Sequence, residues 1–221
     1  MAPARPSRRR LRQGPPSTLN GVLRCAITDR SLFPGDESKK RSALVAQASR
    51  WAAEGIDLIQ LREKDLGPLE LADIAQPMLE VIAPHPATRL VINGNLRAAI
   101  ESEAHGVHLS ANSSILPAEV RRRYAVHSLP RPIVTVSCHS LAEIQIAQRN
   151  DADAILFAPI FGKTVDGQKV TPPAGLEALQ AACLAAAPTP VYALGGVTEE
   201  NAPLCLQAGA AGIAGIRLFH R

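Results

Sequence analysis

Gln60, Arg62 and Lys64 alternate along the stretch QLREK (60–64). In an extended strand a period of two places all three side chains on one face. An inward amide followed by two cations is costly without a partner, so the row suits an anionic ligand. The competing reading pairs Arg62 and Lys64 with the adjacent acids Glu63 and Asp65. Further along, Asn93 precedes Gly94, and His139 sits in Ser137-Cys138-His139-Ser140. Histidine titrates near neutrality and can move protons, although a lone histidine after a strand is more often structural. Gly195-Gly196 and Gly215 each close an apolar run. Glycines there let backbone amides approach a phosphate.

These residues need elements that bring them together. Eight short apolar runs are present: Leu23–Thr28, Ile56–Arg62, Arg89–Asn93, Gly106–Leu109, Ile133–Ser137, Ala154–Phe157, Val191–Leu194 and Gly212–Ile216. Helical patterns separate them at Arg41–Glu54, Pro68–Ile82, Leu96–Glu103, Pro117–Arg123, Leu141–Arg149, Gly175–Ala186 and Glu199–Ala208. Each interval is long enough for a right-handed crossover. The count predicts a (β/α)₈ TIM barrel with the eighth helix short or absent, for which 221 residues suffice. The rival architecture, a doubly wound open sheet, usually carries a Gly-rich first turn. Here that turn reads TDRSLFPGDE (28–37). In a barrel the chemistry gathers at strand C-termini, where most of the polar residues above fall. His108 sits one step below that level and reads as barrel core.

The chain is 46% apolar and only 3% aromatic, so its core must be built from Ala, Leu, Ile and Val. The formal charge of +4 misleads. Residues 1–20 hold Arg5, Arg8, Arg9, Arg10 and Arg12 with no acid, which leaves the rest of the chain at −1. A nucleic-acid surface on the folded part is therefore not expected. Residues 1–20, rich in Pro and Arg, read as a disordered tail, and 21–221 as one domain. Cys25, Cys138, Cys183 and Cys205 show no CxxC spacing, which argues against zinc or redox chemistry. Nothing resembles a signal peptide or an 18-residue apolar run, so a cytoplasmic protein without a membrane partner is expected. A homo-oligomer is compatible with the fold.

Taken in order, AITDR (26–30), IQLREKDL (59–66), VING (91–94), GVHLS (106–110), VSCHSLAE (136–143), DADAILFAPIF (151–161), PVYALGGVT (190–198) and AGAAGIAGI (208–216) form a pattern. Over residues 23–218 it resembles the thiamine phosphate synthase/TenI superfamily. The resemblance implies the barrel, a role in thiamine biosynthesis, and small phosphorylated thiazole or pyrimidine ligands. It covers two activities. Synthases join hydroxymethylpyrimidine diphosphate to a thiazole phosphate and release pyrophosphate with Mg²⁺. TenI-like proteins include thiazole tautomerases, which move a proton to aromatise the ring.

The synthase pattern places carboxylates after strands three and four; this chain has Asn93-Gly94 and, in HLSANSS, Ser113. It also places a Thr/Lys-rich pyrophosphate loop after strand six, which Lys163, Thr164, Lys169 and Thr171 could imitate. The TenI branch carries a catalytic histidine in a Ser-Val-His-Ser-like segment, matched by Ser137-Cys138-His139-Ser140. The chain therefore looks closer to the TenI branch. On that reading His139 moves the proton, while Gln60, Arg62, Lys64, Asn93 and Ser137 line the mouth. Gly195, Gly196, Gly215 and Ile216 supply phosphate-binding amides. Arg217 replaces the Ser usual at its place and would offer a charged, bidentate contact. No metal or cofactor is required; Mg²⁺ enters only for a synthase. The alternatives are a divergent synthase, a non-catalytic ligand-binding regulator of thiamine metabolism, and an unrelated phosphate-binding barrel.

Overall fold

Short strands with apolar residues at consecutive positions belong in a parallel sheet covered on both faces. The computed structural model describes residues 22–165 and 168–220, so the arginine-rich stretch 1–20 lies outside the described residues. The strands are β1 (Leu23–Ile27), β2 (Leu58–Leu61), β3 (Arg89–Asn93), β4 (Gly106–Leu109), β5 (Ile133–Cys138) and β6 (Ala154–Phe157). After a hairpin of β7 (Lys163–Val165) and β8 (Gln168–Thr171) come β9 (Val191–Ala193) and β10 (Gly212–Gly215). All except the hairpin pair in parallel in the order β1-β10-β9-β6-β5-β4-β3-β2, a closed eight-stranded barrel. The chain is thus a TIM barrel, as its pattern of apolar runs predicts.

The pleat sorts side chains into two layers. Cys25, Ile27, Leu58, Val91, Ala154, Leu156, Tyr192 and Ala214 form one cluster, the filling of the barrel. Their neighbours Ala26, Ile59, Leu61, Leu90, Ile92, Val107 and Val134 pack in a second cluster with α1 (Glu37–Ala53), α2 (Pro68–Ile82), α3 (Leu96–Glu101) and α4 (Pro117–Val126). A third cluster joins Ile155, Phe157, Val191, Ala193 and Ile213 to α5 (Leu141–Arg149), α6 (Gly175–Ala186) and α7 (Ala202–Gln207). Helix starts have identifiable causes. Asp36, Asn95 and Ser140 accept backbone N–H bonds from Lys39, Ala98 and Glu143, and proline opens α2 and α4.

The structure departs from the expectations above in two helix starts and in the stretch after β6. α1 begins at Glu37, four residues before Arg41, because Asp36 caps it. α7 begins at Ala202, since Thr198 and Asn201 satisfy each other's backbone N–H groups in a turn just before it. The stretch after β6 is an antiparallel hairpin, not a loop; Lys163, Thr164 and Lys169 fall on it, and their side chains, like that of Thr171, lie outside the described residues. Among the described residues no helix follows β10.

Cys25 and Cys138 are fully buried, as apolar runs predict, and burial pushes both thiols up to about 12. They behave as small hydrophobic groups. No helix among the described residues is long and apolar enough to cross a membrane.

Two histidines are held neutral. Burial, with the nearby Arg89 charge, lowers His105 to about 4, and its Nδ1 accepts a bond from Leu90 N at 3.0 Å. Burial, with Arg62, lowers His108 to about 4. In the unfolded chain both protonate near pH 6.5. Unfolding therefore takes up protons between pH 6.5 and 4, and stability is lost as pH falls through that window. Denaturant midpoints measured from pH 7.5 to 4.5 will fall accordingly. His105→Asn, which keeps an acceptor for Leu90 N, will flatten the profile; an unchanged slope would reject this account.

Candidate active site

At the C-terminal mouth the inward register of β2, β3 and β5 presents Gln60, Asn93 and Ser137. Gln60 is buried and its Nε2 donates to Asn93 Oδ1 at 2.9 Å. Its Oε1 is buried with no partner. An unsatisfied buried oxygen costs about 1–3 kcal/mol, so this amide is set for a ligand that donates to it. Arg62, half-buried, continues the inward register, and its charge helps depress His108. Among the described residues Arg62 makes no salt bridge. A cleft of about 410 Å³ opens beside it, between the loops after β1 and β2 and the start of α1. That size suits a small molecule. A second hollow between α4 and α5 is only about 80 Å³.

Lys64 does not extend the row. β2 ends at Leu61, alternation stops there, and Lys64 is exposed. Nor do Glu63 and Asp65 pair with Arg62 and Lys64. Both bind Arg30, at 3.1 and 2.5 Å, and Glu37 binds it at 2.8 Å. Glu63 is buried and also accepts Thr28 Oγ1 at 2.6 Å and Arg30 N. The Arg30 guanidinium lowers Asp65 to about 2 and pulls Glu37 down as well. The organising residue of this corner is Arg30, which the sequence reading passed over. Its only local signal was its place in TDR at a strand end.

Below the mouth, His108 is buried between Thr135 Oγ1 and Ser137 Oγ, each 2.8 Å from a ring nitrogen. The three form a hydrogen-bonded chain running up to Ser137. Next along β5, His139 is exposed, directly before the Ser140 cap of α5. Its backbone N–H bonds Glu143 Oε2, and its Nδ1 lies 2.7 Å from the carbonyl oxygen of Ala158. A carbonyl only accepts, so Nδ1 carries hydrogen and Nε2 is left with the lone pair.

Gly195 and Gly196 adopt positive φ of 94° and 69°. A Cβ on Gly195 would lie 2.8 Å from Pro159 Cα, and one on Gly196 2.8 Å from Phe161 O. Only glycine fits between β9 and the loop after β6. Gly215 ends β10, Ile216 packs against the barrel filling, and Arg217 is exposed in the following turn. β10 pairs with β9, so the loops that follow the two strands are neighbours.

Mg²⁺ requires hard oxygen ligands, usually one or two carboxylates. Asn93 supplies an amide already bound to Gln60, and Ser113 Oγ is engaged with Ile115 N and O at 3.1 and 3.0 Å. Glu37, Glu63 and Asp65 are held by Arg30, and Asp29 by Ser31. Among the described residues no group of three or more His, Cys, Asp or Glu is placed to hold a metal. Among them neither Asn93 nor Ser113 offers the carboxylate that Mg²⁺ would use at these two positions.

Residues 25–219 match the model of the family described as thiamine monophosphate synthase. An Aquifex aeolicus protein provisionally named thiamine-phosphate synthase 2 is 39% identical over 166 residues, covering 75% of this chain and 84% of that one. The thiamine-phosphate synthase of Chlorobium luteolum is 35% identical over 192 residues, covering 86% and 81%. The structure titled thiamine phosphate pyrophosphorylase from Pyrococcus furiosus superposes with a TM-score of 0.69 over 88% of this chain and 85% of that one, at 24% identity, a likeness of fold. The chain belongs to the thiamine phosphate synthase/TenI family, and its setting is thiamine biosynthesis. The relatives carry synthase names, which speak for a transferase and do not single out the TenI branch.

Removing Arg30 leaves the buried Glu63 without its counter-charge. Breaking such a pair from one side costs about 3–5 kcal/mol. Thermal and urea unfolding of Arg30→Met will show a loss of this order, partly restored by adding Glu63→Gln. A loss under about 1 kcal/mol would mean Arg30 does not organise the corner.

Proposed function

We propose that this chain acts on a thiazole phosphate in thiamine biosynthesis and moves a proton through His139. The observation that carries the reading is the bond from His139 Nδ1 to Ala158 O, which leaves Nε2 as the acceptor. The Nε2 lone pair takes a proton from the non-aromatic ring. The imidazolium then returns it at a second atom of the same ligand, leaving the ring aromatic. A positioned acid/base of this kind contributes about 10²–10⁴-fold. The phosphate lies across the amides of Gly195, Gly196, Gly215 and Ile216, with Arg217 as a charged contact. Gln60, Arg62, Asn93 and Ser137 orient the ring.

The second reading is a synthase that joins hydroxymethylpyrimidine diphosphate to the thiazole phosphate, and the names of the relatives favour it. Lys163 or Lys169 would then meet the departing pyrophosphate in place of the carboxylates that Asn93 and Ser113 replace. A third reading keeps the pocket without turnover, as a regulator.

Purified protein incubated with both synthase substrates and Mg²⁺ will form no thiamine phosphate above a Mg²⁺-free control. The non-aromatic thiazole tautomer will be converted, and His139→Asn will lower that rate by about 10²-fold or more. Robust Mg²⁺-dependent thiamine phosphate would establish the synthase instead. Tight binding without turnover, equal in wild type and His139→Asn, would identify a regulator.

A further inference from the structure

After β10, residues 216–220 form a short segment stapled to α1. Past Gly215 it turns back so that Leu218 Cβ lies 2.9 Å from where a Cβ of Gly215 would stand. Phe219 then packs against both helix-side clusters, at the seam between α7 and α1. Trp51, buried on α1, donates from Nε1 to Phe219 O at 2.7 Å. Gln47, buried one turn earlier, lies 2.9 Å through Nε2 from His220 Nδ1, which must accept. The His220 ring stands edge-on to Phe33, centroids 4.8 Å apart, in the loop after β1.

We infer that Trp51 and Gln47 are positioning residues for the phosphate-binding turn, acting through Phe219 and His220. Among the described residues Arg217 makes no ion pair, and its own turn is closed only by His220 N to Arg217 O at 3.3 Å. The strap two and three residues further on, held at two points by α1, fixes where the amides of Ile216 and Arg217 aim. Two buried polar groups on a core helix whose side-chain bonds among the described residues go to this strap serve that end. The inference rests on the reading that phosphate binds at the turn after β10. It adds that α1, through Trp51 and Gln47, sets phosphate affinity.

The test is calorimetric titration of wild type, Trp51→Phe and Gln47→Met with three probes: inorganic phosphate, hydroxyethylthiazole phosphate, and unphosphorylated hydroxyethylthiazole. Each variant will bind the two phosphates about fivefold more weakly, the range of one hydrogen bond, and bind the alcohol as wild type does. A purely structural role would lower the melting temperature and weaken all three probes alike, or none; either pattern overturns the inference. If Trp51→Phe does not fold, Gln47→Met carries the same comparison. A wild type that binds inorganic phosphate but not thiazole phosphate would overturn the thiazole reading and leave the strap to stand on phosphate alone. A wild type that binds neither overturns both.

Discussion

The parallel ladder between β1 and β10, with Leu23 opposite Gly212 and Ala26 opposite Gly215, closes the sheet. Closure decides which side chains can take part in chemistry. Once the sheet meets itself, inward positions have no neighbour but one another. At most levels Cys25, Leu58, Val91, Leu156 and Tyr192 fill that space and keep water out. Only near the C-terminal rim does the filling give way to Gln60, Asn93, His108 and Ser137. Gln60 bonds Asn93 and His108 bonds Ser137, and one buried acceptor among them, Gln60 Oε1, is left without a partner.

Charge at the rim is divided by the same geometry. Glu63 and Asp65 in the loop after β2 and Glu37 at the start of α1 converge on Arg30 in the loop after β1, so that corner is neutralised internally. Arg62, one residue from Glu63 in sequence, is on the other side of the strand end and keeps its charge for the mouth. The cleft beside Arg62 thus carries both signs of charge, with its acids Glu37, Glu63 and Asp65 already engaged by Arg30.

The fold was legible because a barrel strand needs only a local pattern: four to six apolar residues bounded by breakers. Seven of the eight runs contain the observed barrel strand, and the eighth, Ile133–Ser137, falls one residue short of β5. The site was legible where it lay on strands, as with Gln60, Asn93 and Ser137, or just past a cap, as with His139. It failed where the partner was distant. Nothing in REKD shows that Glu63 and Asp65 belong to Arg30, some 33 to 35 residues earlier, so the period of two was carried past the end of β2 to Lys64. The hairpin was missed for a different reason. Asp166-Gly167 is a strong hairpin signal between Lys163–Val165 and Gln168–Thr171, but neither flank is an apolar run.

The helix-side core is not one ring. β1 to β5 and the first four helices share one cluster, the later strands and α5 to α7 another, and the partly buried residues common to both include Val136 and Phe219. Mechanically the barrel is two half-shells with a joint on either side, one running along β5 and the other beneath the chain's end. His139 stands at the top of the first joint and the turn at 215–217 at the top of the second. Val136 and Phe219 are therefore where a change of packing in one half is passed to the other.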